Sequence, residues 1–229
     1  MNHSAKYLLL RDLELFNSLD RAQIEQVAFQ ASFQKFQKND YLYKEGDDIS
    51  FVYILRNGSV KSGVGTSEDK SLIKEIVYQN ELLGENILTG SQKRKEFAQA
   101  LTDTETLKMP VCFFKDMLEK NPQLCQELTI ILIKKISNLE SRMSNFVLKK
   151  AHSRIVDFLR KLAQTKGIKI GLDEILINHG LSHKEIANIT DTSRQTVARV
   201  LGELKRNNII HFSARKPHKI LIRNVMNLS

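Results

Sequence analysis

The chain is poor in cysteine, with Cys112 and Cys125 the only two among 229 residues. Two thiols are too few for a disulfide scaffold, an all-cysteine zinc site or a four-cysteine iron–sulfur cluster, and none of these is expected. Three prolines and ten glycines exclude a disordered or collagen-like chain. No apolar run approaches the ~18 residues of a membrane-spanning helix. The stretch before Arg11 holds three leucines, short of a signal peptide's apolar core. These absences predict a cytoplasmic protein with no membrane partner and no bound metal. What is present is ordinary for a globular protein: 41% hydrophobic and 27% charged residues, in a length that suits one or two domains.

Charge is unevenly placed. Residues 149–229 hold sixteen Lys/Arg against six Asp/Glu, whereas the preceding residues are close to neutral and the whole chain carries +9. The asymmetry points to a near-neutral module joined to one that meets a polyanion, although a solvated basic surface would give the same count.

Leu8 to Phe33 reads as short helices. Ser18-Leu19-Asp20 can cap the second, on which Ile24, Val27 and Ala28 share a face. From Phe36 to about Met109, six glycines (Gly46, Gly58, Gly63, Gly65, Gly84, Gly90) separate short β-prone runs such as Phe51-Val52-Tyr53-Ile54-Leu55. Asn57-Gly58 between two such runs predicts a two-residue type I′ hairpin. Many short strands with frequent turns predict a jelly roll or sandwich.

Asn121-Pro122 is a helix entry, and no further proline or glycine occurs until Gly167. Cys125, Thr129, Leu132, Ile136, Leu139, Met143 and Phe146 recur at alternating spacings of four and three. That is a heptad seam, which predicts a long helix pairing with a second copy of itself through Leu132, Ile136, Leu139, Met143 and Phe146. A helix packed on its own β domain is the alternative. A break is expected near Lys149-Lys150, followed by a helix whose Ile155, Phe158, Leu159 and Leu162 form a buried face.

The most informative stretch runs from Leu181 to Leu201. Ser182 followed by Glu185 is a capping box that starts a short helix at His183. Ala187 is small where two helices cross. Thr190-Asp191-Thr192 makes a tight turn, and aspartate tolerates a left-handed backbone. Thr192 or Ser193 then caps a second helix, with Val197, Val200, Leu201 and Leu204 facing in and Arg194, Gln195, Thr196 and Arg199 facing out. This pattern predicts a helix-turn-helix whose second helix enters a DNA major groove. Arginine can bond guanine O6 and N7 as a fork, and glutamine can bond adenine N6 and N7. The runs Ile209–Phe212 and Lys219–Ile222 flank a basic turn, and Arg215, Lys216 and Lys219 read as a wing touching phosphates, with a merely solubilising loop as the alternative. The candidate DNA-binding residues are Ser182, His183, Lys184, Ser193, Arg194, Gln195, Thr196, Arg199 and Lys216.

A glycine-punctuated β-roll, a long pairing helix and a winged helix-turn-helix together resemble the CRP/FNR family of bacterial transcription regulators. The fold class this implies is α+β: a cyclic-nucleotide-binding-like β-roll sensor domain (1–120), a dimerisation helix (121–150) and a winged helix-turn-helix DNA-binding domain (151–229). The resemblance further implies a homodimer on a pseudo-palindromic operator in double-stranded DNA, with RNA polymerase as a partner if the protein activates transcription. Arg194, Gln195 and Arg199 fall on the family's base-reading positions. Glutamine stands at the middle one, where cyclic-AMP-responsive members carry glutamate, so a different base preference is expected there.

Effector-binding residues by the same resemblance are Gly84, Glu85 and either Arg94 or Lys95. In cyclic-nucleotide binders a Gly-Glu pair holds the ribose and a downstream Arg-Ser pair the phosphate, whereas here the downstream segment reads Gln92-Lys93-Arg94-Lys95-Glu96-Phe97. Glu96 would repel an anion, and Leu139-Glu140 replaces the pair that meets the base. Cyclic AMP is therefore not the expected ligand. Haem stays open, since one histidine can ligate it, but none of the six histidines is distinctive.

A ligand-sensing module acting through a protein partner is the competing reading, but it leaves residues 183–202 unexplained. No nucleophile paired with a base stands out, so no enzyme is expected. Cys112, within Val111-Cys112-Phe113-Phe114, and Cys125, on the seam, read as packing cysteines.

Overall fold

The computed structural model describes residues 3–67, 70–178, 180–212 and 219–223. The chain divides into two compact units, Met1–Leu139 and Glu140–Ser229, with the division inside one long helix.

In the first unit, α1 (His3–Arg11), a single 3-10 turn (Glu14–Phe16) and α2 (Arg21–Gln30) lead into the strands. Asp20 caps α2 through a capping box with Gln23, as the Ser18-Leu19-Asp20 signal anticipates. The helical reading runs too far, because α2 ends at Gln30 and Phe33 already lies in β1 (Ser32–Phe36). The remaining strands are β2 (Tyr41–Tyr43), β3 (Phe51–Asn57), β4 (Val60–Ser67), β5 (Lys70–Val77), β6 (Leu82–Leu83), β7 (Phe97–Ala100) and β8 (Thr104–Pro110). They form two antiparallel four-stranded sheets, ordered β1-β8-β3-β6 and β2-β7-β4-β5. This is the expected roll.

Asn57-Gly58 makes no hairpin. The strands it joins lie in different sheets, β3 against β8 and β6, β4 against β5 and β7. The pair turns the corner between the sheets, and of the two residues only Gly58 takes a positive φ, +89°. A side chain at Gly58 would lie 2.6 Å from the Asp103 carbonyl oxygen, so the glycine serves close approach at the corner.

One core collects α1, α2 and the first sheet around Leu10, Phe16, Val27, Ile54, Leu107 and Phe114. A second, between the sheets, gathers Tyr43, Tyr53, Leu55, Val60, Leu83 and Ala98. After α3 (Val111–Lys120), α4 runs from Pro122 to Leu148 with proline at its first position. Packing on its own β domain, the alternative reading of α4, holds for the first part of the helix. Leu124 and Leu128 are buried in the unit's own core and Leu132 packs against it, whereas Ile136, Leu139, Met143 and Phe146 are exposed, as are Ile133, Val147 and Leu148.

In the second unit the helix breaks at Lys149 and Lys150, and α5 (Ala151–Lys166) buries Ile155, Val156, Leu159 and Leu162. The helix pair α6 (His183–Ile189) and α7 (Arg194–Arg206) follows. A four-stranded sheet, ordered β11-β12-β10-β9, is built from β9 (Gly167–Lys169), β10 (Ile175–Asn178), β11 (Ile210–Phe212) and β12 (Lys219–Ile222). The wing strands β11 and β12 pair as expected, His211 opposite Leu221. Arg215 and Lys216 at the wing's turn lie outside the described residues.

Candidate nucleic-acid interface and effector pocket

The helix pair is set by caps at both of its starts. Ser182 Oγ accepts the Glu185 backbone N–H at 3.2 Å, and Glu185 accepts the Ser182 N–H at 2.8 Å. Ser193 caps α7, accepting the Thr196 N–H at 3.0 Å and meeting the Thr196 hydroxyl at 2.8 Å. Each cap is worth about 1 kcal/mol and fixes where the first exposed turn begins. Of the candidate DNA-binding residues, Ser182, Ser193 and Thr196 thus spend hydroxyl capacity on caps.

Val197, Val200, Leu201 and Leu204 are buried along the inner face of α7, and Ala187 is buried on α6. On the outer face Arg194, Gln195 and Arg199 are exposed, Arg199 only loosely associated with Glu203 at 3.8 Å. Ser182, His183, Lys184 and Arg194 come together on the wall of one cavity of about 350 Å³. The first two turns of α7 therefore present two cationic forks and an amide, with Arg194 beside the start of α6, a donor-rich edge suited to base edges and phosphates.

The turn between the helices is held by two arginines that sequence reading passes over. Asp191 has φ +52°, and its carboxylate receives a fork from Arg142 of α4, Nε to Oδ2 at 2.9 Å and Nη2 to Oδ1 at 2.6 Å. Arg142 Nη2 also donates to the Asn188 carbonyl at 2.8 Å. Arg154 of α5 donates from Nε to the Thr190 carbonyl at 2.9 Å and from Nη2 to the Asp191 carbonyl at 2.7 Å. Cations thus satisfy carbonyls left unpaired at the C-terminal end of α6. Neither arginine is distinctive in sequence, since a charged residue on a helix reads as solvated.

In the β-roll, one rung of the second sheet places Tyr43, Ala98, Ser62 and Glu75 side by side. The structure separates the two anion candidates: Arg94 is buried and Lys95 is exposed. Arg94 donates from Nη1 to the Gly84 carbonyl at 3.3 Å and from Nη2 to the Phe51 carbonyl. Its guanidinium lies 4.0 Å above the Tyr43 ring. Gly84, at φ +93°, is where a Cβ would meet Arg94 Nη1 at 2.9 Å. Glu96 is buried and paired, accepting from Tyr43 Oη at 3.2 Å and from Lys74 Nζ at 2.5 Å. Burial, then the adjacent Glu96 carboxylate, hold the Tyr43 phenol well above its ordinary value of 10.0.

Glu85 does not stand free either. Lys135 of α4 reaches in to donate to Glu85 Oε1 at 2.5 Å, Glu75 Oε1 at 3.0 Å and the Leu82 carbonyl at 3.2 Å. Burial alone would lower the Lys135 pKa, but Glu85 and Glu75 outweigh it and the net shift is upward. Burial raises Glu75 above its ordinary 4.5, against the pull of Lys135. Ser62 Oγ, Glu85 Oε2 and Arg94 Nε are buried without a hydrogen-bond partner.

Both cysteines differ from the expectation of packing. Cys112 and Cys125 are exposed free thiols, because the inward positions of α3 and α4 go to Phe114, Met117, Leu124 and Leu128. Among the described residues no group of three or more His, Cys, Asp or Glu could hold a metal, and no helix is long and apolar enough to cross a membrane.

Comparison with known proteins agrees with these two parts. Residues 33–121 match the family described as a cyclic nucleotide-binding domain, and residues 153–229 match a Crp-like helix-turn-helix domain. A global nitrogen regulator from Nostoc sp. is 28% identical over 191 residues, covering 82% of this chain and 85% of that protein. An anaerobic regulatory protein from Bacillus subtilis is 26% identical over 77% of this chain and 74% of its own length. Among solved structures, FixK2 from Bradyrhizobium japonicum shares the fold with a TM-score of 0.75 at 21% identity, over 86% of this chain and 95% of that one.

Proposed function

Because the chain belongs to the CRP/FNR family of transcription regulators, we propose that its sequence-specific DNA binding is carried by a homodimer whose two α7 helices read the half-sites of a pseudo-palindromic operator. Its relatives are regulators rather than enzymes, and so is this chain. The observation that carries the reading is the two-faced α7: Arg194, Gln195 and Arg199 stand exposed while Val197, Val200, Leu201 and Leu204 are packed beneath them. Arg194, Gln195 and Arg199 meet base edges, and His183, Lys184 and Lys216 meet phosphates. The exposed Ile136, Leu139, Met143 and Phe146 supply the face that pairs α4 with its copy. Such pairing places the two reading heads about 34–36 Å apart, one turn of DNA. The protein works on DNA in the cytoplasm, with RNA polymerase as its further partner where it activates.

A cyclic nucleotide does not fit the residues of the roll. Its phosphate needs an available guanidinium, but Arg94 donates to two backbone carbonyls and stacks on Tyr43, which also bonds the Glu96 carboxylate. Its ribose needs Glu85, which Lys135 already holds. An effector entering the roll competes with these internal pairs and finds one donor at Arg94 Nε, one acceptor at Glu85 Oε2 and the Ser62 hydroxyl.

The test is selection of duplexes from a randomised pool by the full-length protein. Recovery of a two-fold symmetric site, bound with an affinity that falls steeply as salt rises, is expected. Binding with no sequence preference, or to a single asymmetric half-site, would overturn the reading.

A further inference from the structure

The turn that joins α6 to α7 is anchored on α4, beside the face through which two copies of the chain would pair. Arg142 immediately precedes Met143 and stands one helical turn before Phe146, both exposed apolar residues of that face. Its fork onto Asp191 is about four-fifths buried on both sides, with side-chain exposures of 22% and 20%. Asp191 is two residues before Ser193, the cap from which α7 and its Arg194 and Gln195 begin. A second tie runs in parallel. The Arg154 guanidinium lies 5.2 Å over the Phe146 ring and also donates to the Lys149 carbonyl at 2.6 Å, while its other nitrogens hold the Thr190 and Asp191 carbonyls.

We infer that Arg142 is a positioning residue for DNA recognition, fixing the start of α7 relative to the end of the pairing helix and thereby setting which separation of operator half-sites the dimer accepts. The inference rests on the DNA-binding, homodimeric reading above. A bidentate arginine–carboxylate pair defines direction as well as distance, which a lysine in the same place would not. Asp191 contributes twice, as a residue type that tolerates positive φ in a three-residue turn and as the carboxylate that receives the fork. A turn released from α4 still leaves α6 and α7 in contact, with Ala187, Val197 and Val200 buried. The reading head survives, then, and what is lost is its fixed direction.

The experiment takes an operator selected with the parent protein and rebuilds it with one base pair added or removed between the half-sites. Full-length Arg142→Gln, Asp191→Asn and the double variant are measured on all three duplexes, together with their thermal unfolding midpoints. Each single variant is expected to bind the selected operator about tenfold more weakly and to lose most of the parent's preference for its spacing. The double variant is expected to be no weaker than the weaker single one, because both remove the same interaction. Arg142→Lys, which keeps the charge but not the fork, should fall between parent and Arg142→Gln, and carries the comparison if Arg142→Gln does not fold. Unchanged affinity, an equal loss on all three spacings, or losses that add in the double variant would each overturn the inference while leaving the DNA-binding reading intact. A parent protein that selects no operator would overturn that reading and the inference with it.

Discussion

The Lys135 ammonium lies 2.5 Å from Glu85 Oε1, so the carboxylate that cyclic-nucleotide binders turn to a ribose is here closed by a side chain of the long helix. Glu75 shares the same ammonium at 3.0 Å. One cation therefore serves two carboxylates, both mostly buried, with side-chain exposures of 12% for Glu85 and 31% for Glu75.

Lys135→Met should cost about 3 kcal/mol of unfolding free energy at neutral pH, because it strands two buried carboxylates. The pH dependence has a definite sign. Burial already raises Glu75, and without the cation its folded pKa rises further above the unfolded one. A carboxylate shifted upward destabilises where it is ionised and recovers on protonation, so the variant's deficit should shrink as pH falls from about 7 to about 5. In the parent, Lys135 is raised above its ordinary 10.5, so its contribution is present below that value and lost as pH rises through the folded pKa. Urea unfolding of both proteins across this range checks the argument, and a deficit that grows on acidification would refute it.

Gly46 and Gly58 make a matched pair, both at φ +89°. A Cβ at Gly46 meets nothing within 4 Å, whereas at Gly58 it would lie 2.5 Å from Thr104 Oγ1 and 2.8 Å from Thr104 Cα. Gly46→Ala should therefore cost only the left-handed strain, about 1 kcal/mol. Gly58→Ala should cost that and the displacement of backbone, about 3 kcal/mol or more. Denaturation midpoints of the two variants measure the difference, and equal midpoints would show that the sheet corner can relax.

What the sequence made legible was local. Ser182 with Glu185, and Asn121-Pro122, are cap signals whose meaning is complete within a few residues, and both elements start where those signals put them. The left-handed Asp191 followed from residue type and was found at φ +52°. Asn57-Gly58 misled for the same reason: the dipeptide favours a hairpin locally, but β3 is claimed by β8 from much later in the chain. The strands β9 and β10 are three and four residues long and carry too little alternation to stand out. Lys135, Arg142 and Arg154 were invisible because nothing about an isolated cation on a helix tells that folding will bring it a carboxylate or a row of carbonyls.

The exposed half of α4 leads to a prediction that separates folding from assembly. Ile136 is 55% exposed in the single chain, so Ile136→Glu should leave the unfolding of the monomer within about 0.5 kcal/mol of the parent. In a paired helix the same carboxylate enters an apolar seam, and weakening of the dimer by about a hundredfold is expected. Sedimentation equilibrium reads this directly. A parent protein that stays monomeric at high concentration would dispose of the pairing face.

Gln195 offers the sharpest test of base reading. Its amide can donate and accept, which matches the acceptor N7 and donor N6 of adenine, whereas a carboxylate only accepts and matches cytosine N4. Gln195→Glu conserves length and shape on an exposed position, so stability should not move. The selected operator should change at one base-pair step in each half-site, toward cytosine on the contacted strand, with discrimination of about 1–3 kcal/mol. Arg199→Ala should lose a similar amount at a different step, relaxing preference there without redirecting it. The two outcomes differ in kind, because one substitution replaces a reading group and the other deletes it. If Gln195→Glu selects the same sequence as the parent, residue 195 does not face the bases, and the orientation assigned to α7 in the groove is wrong.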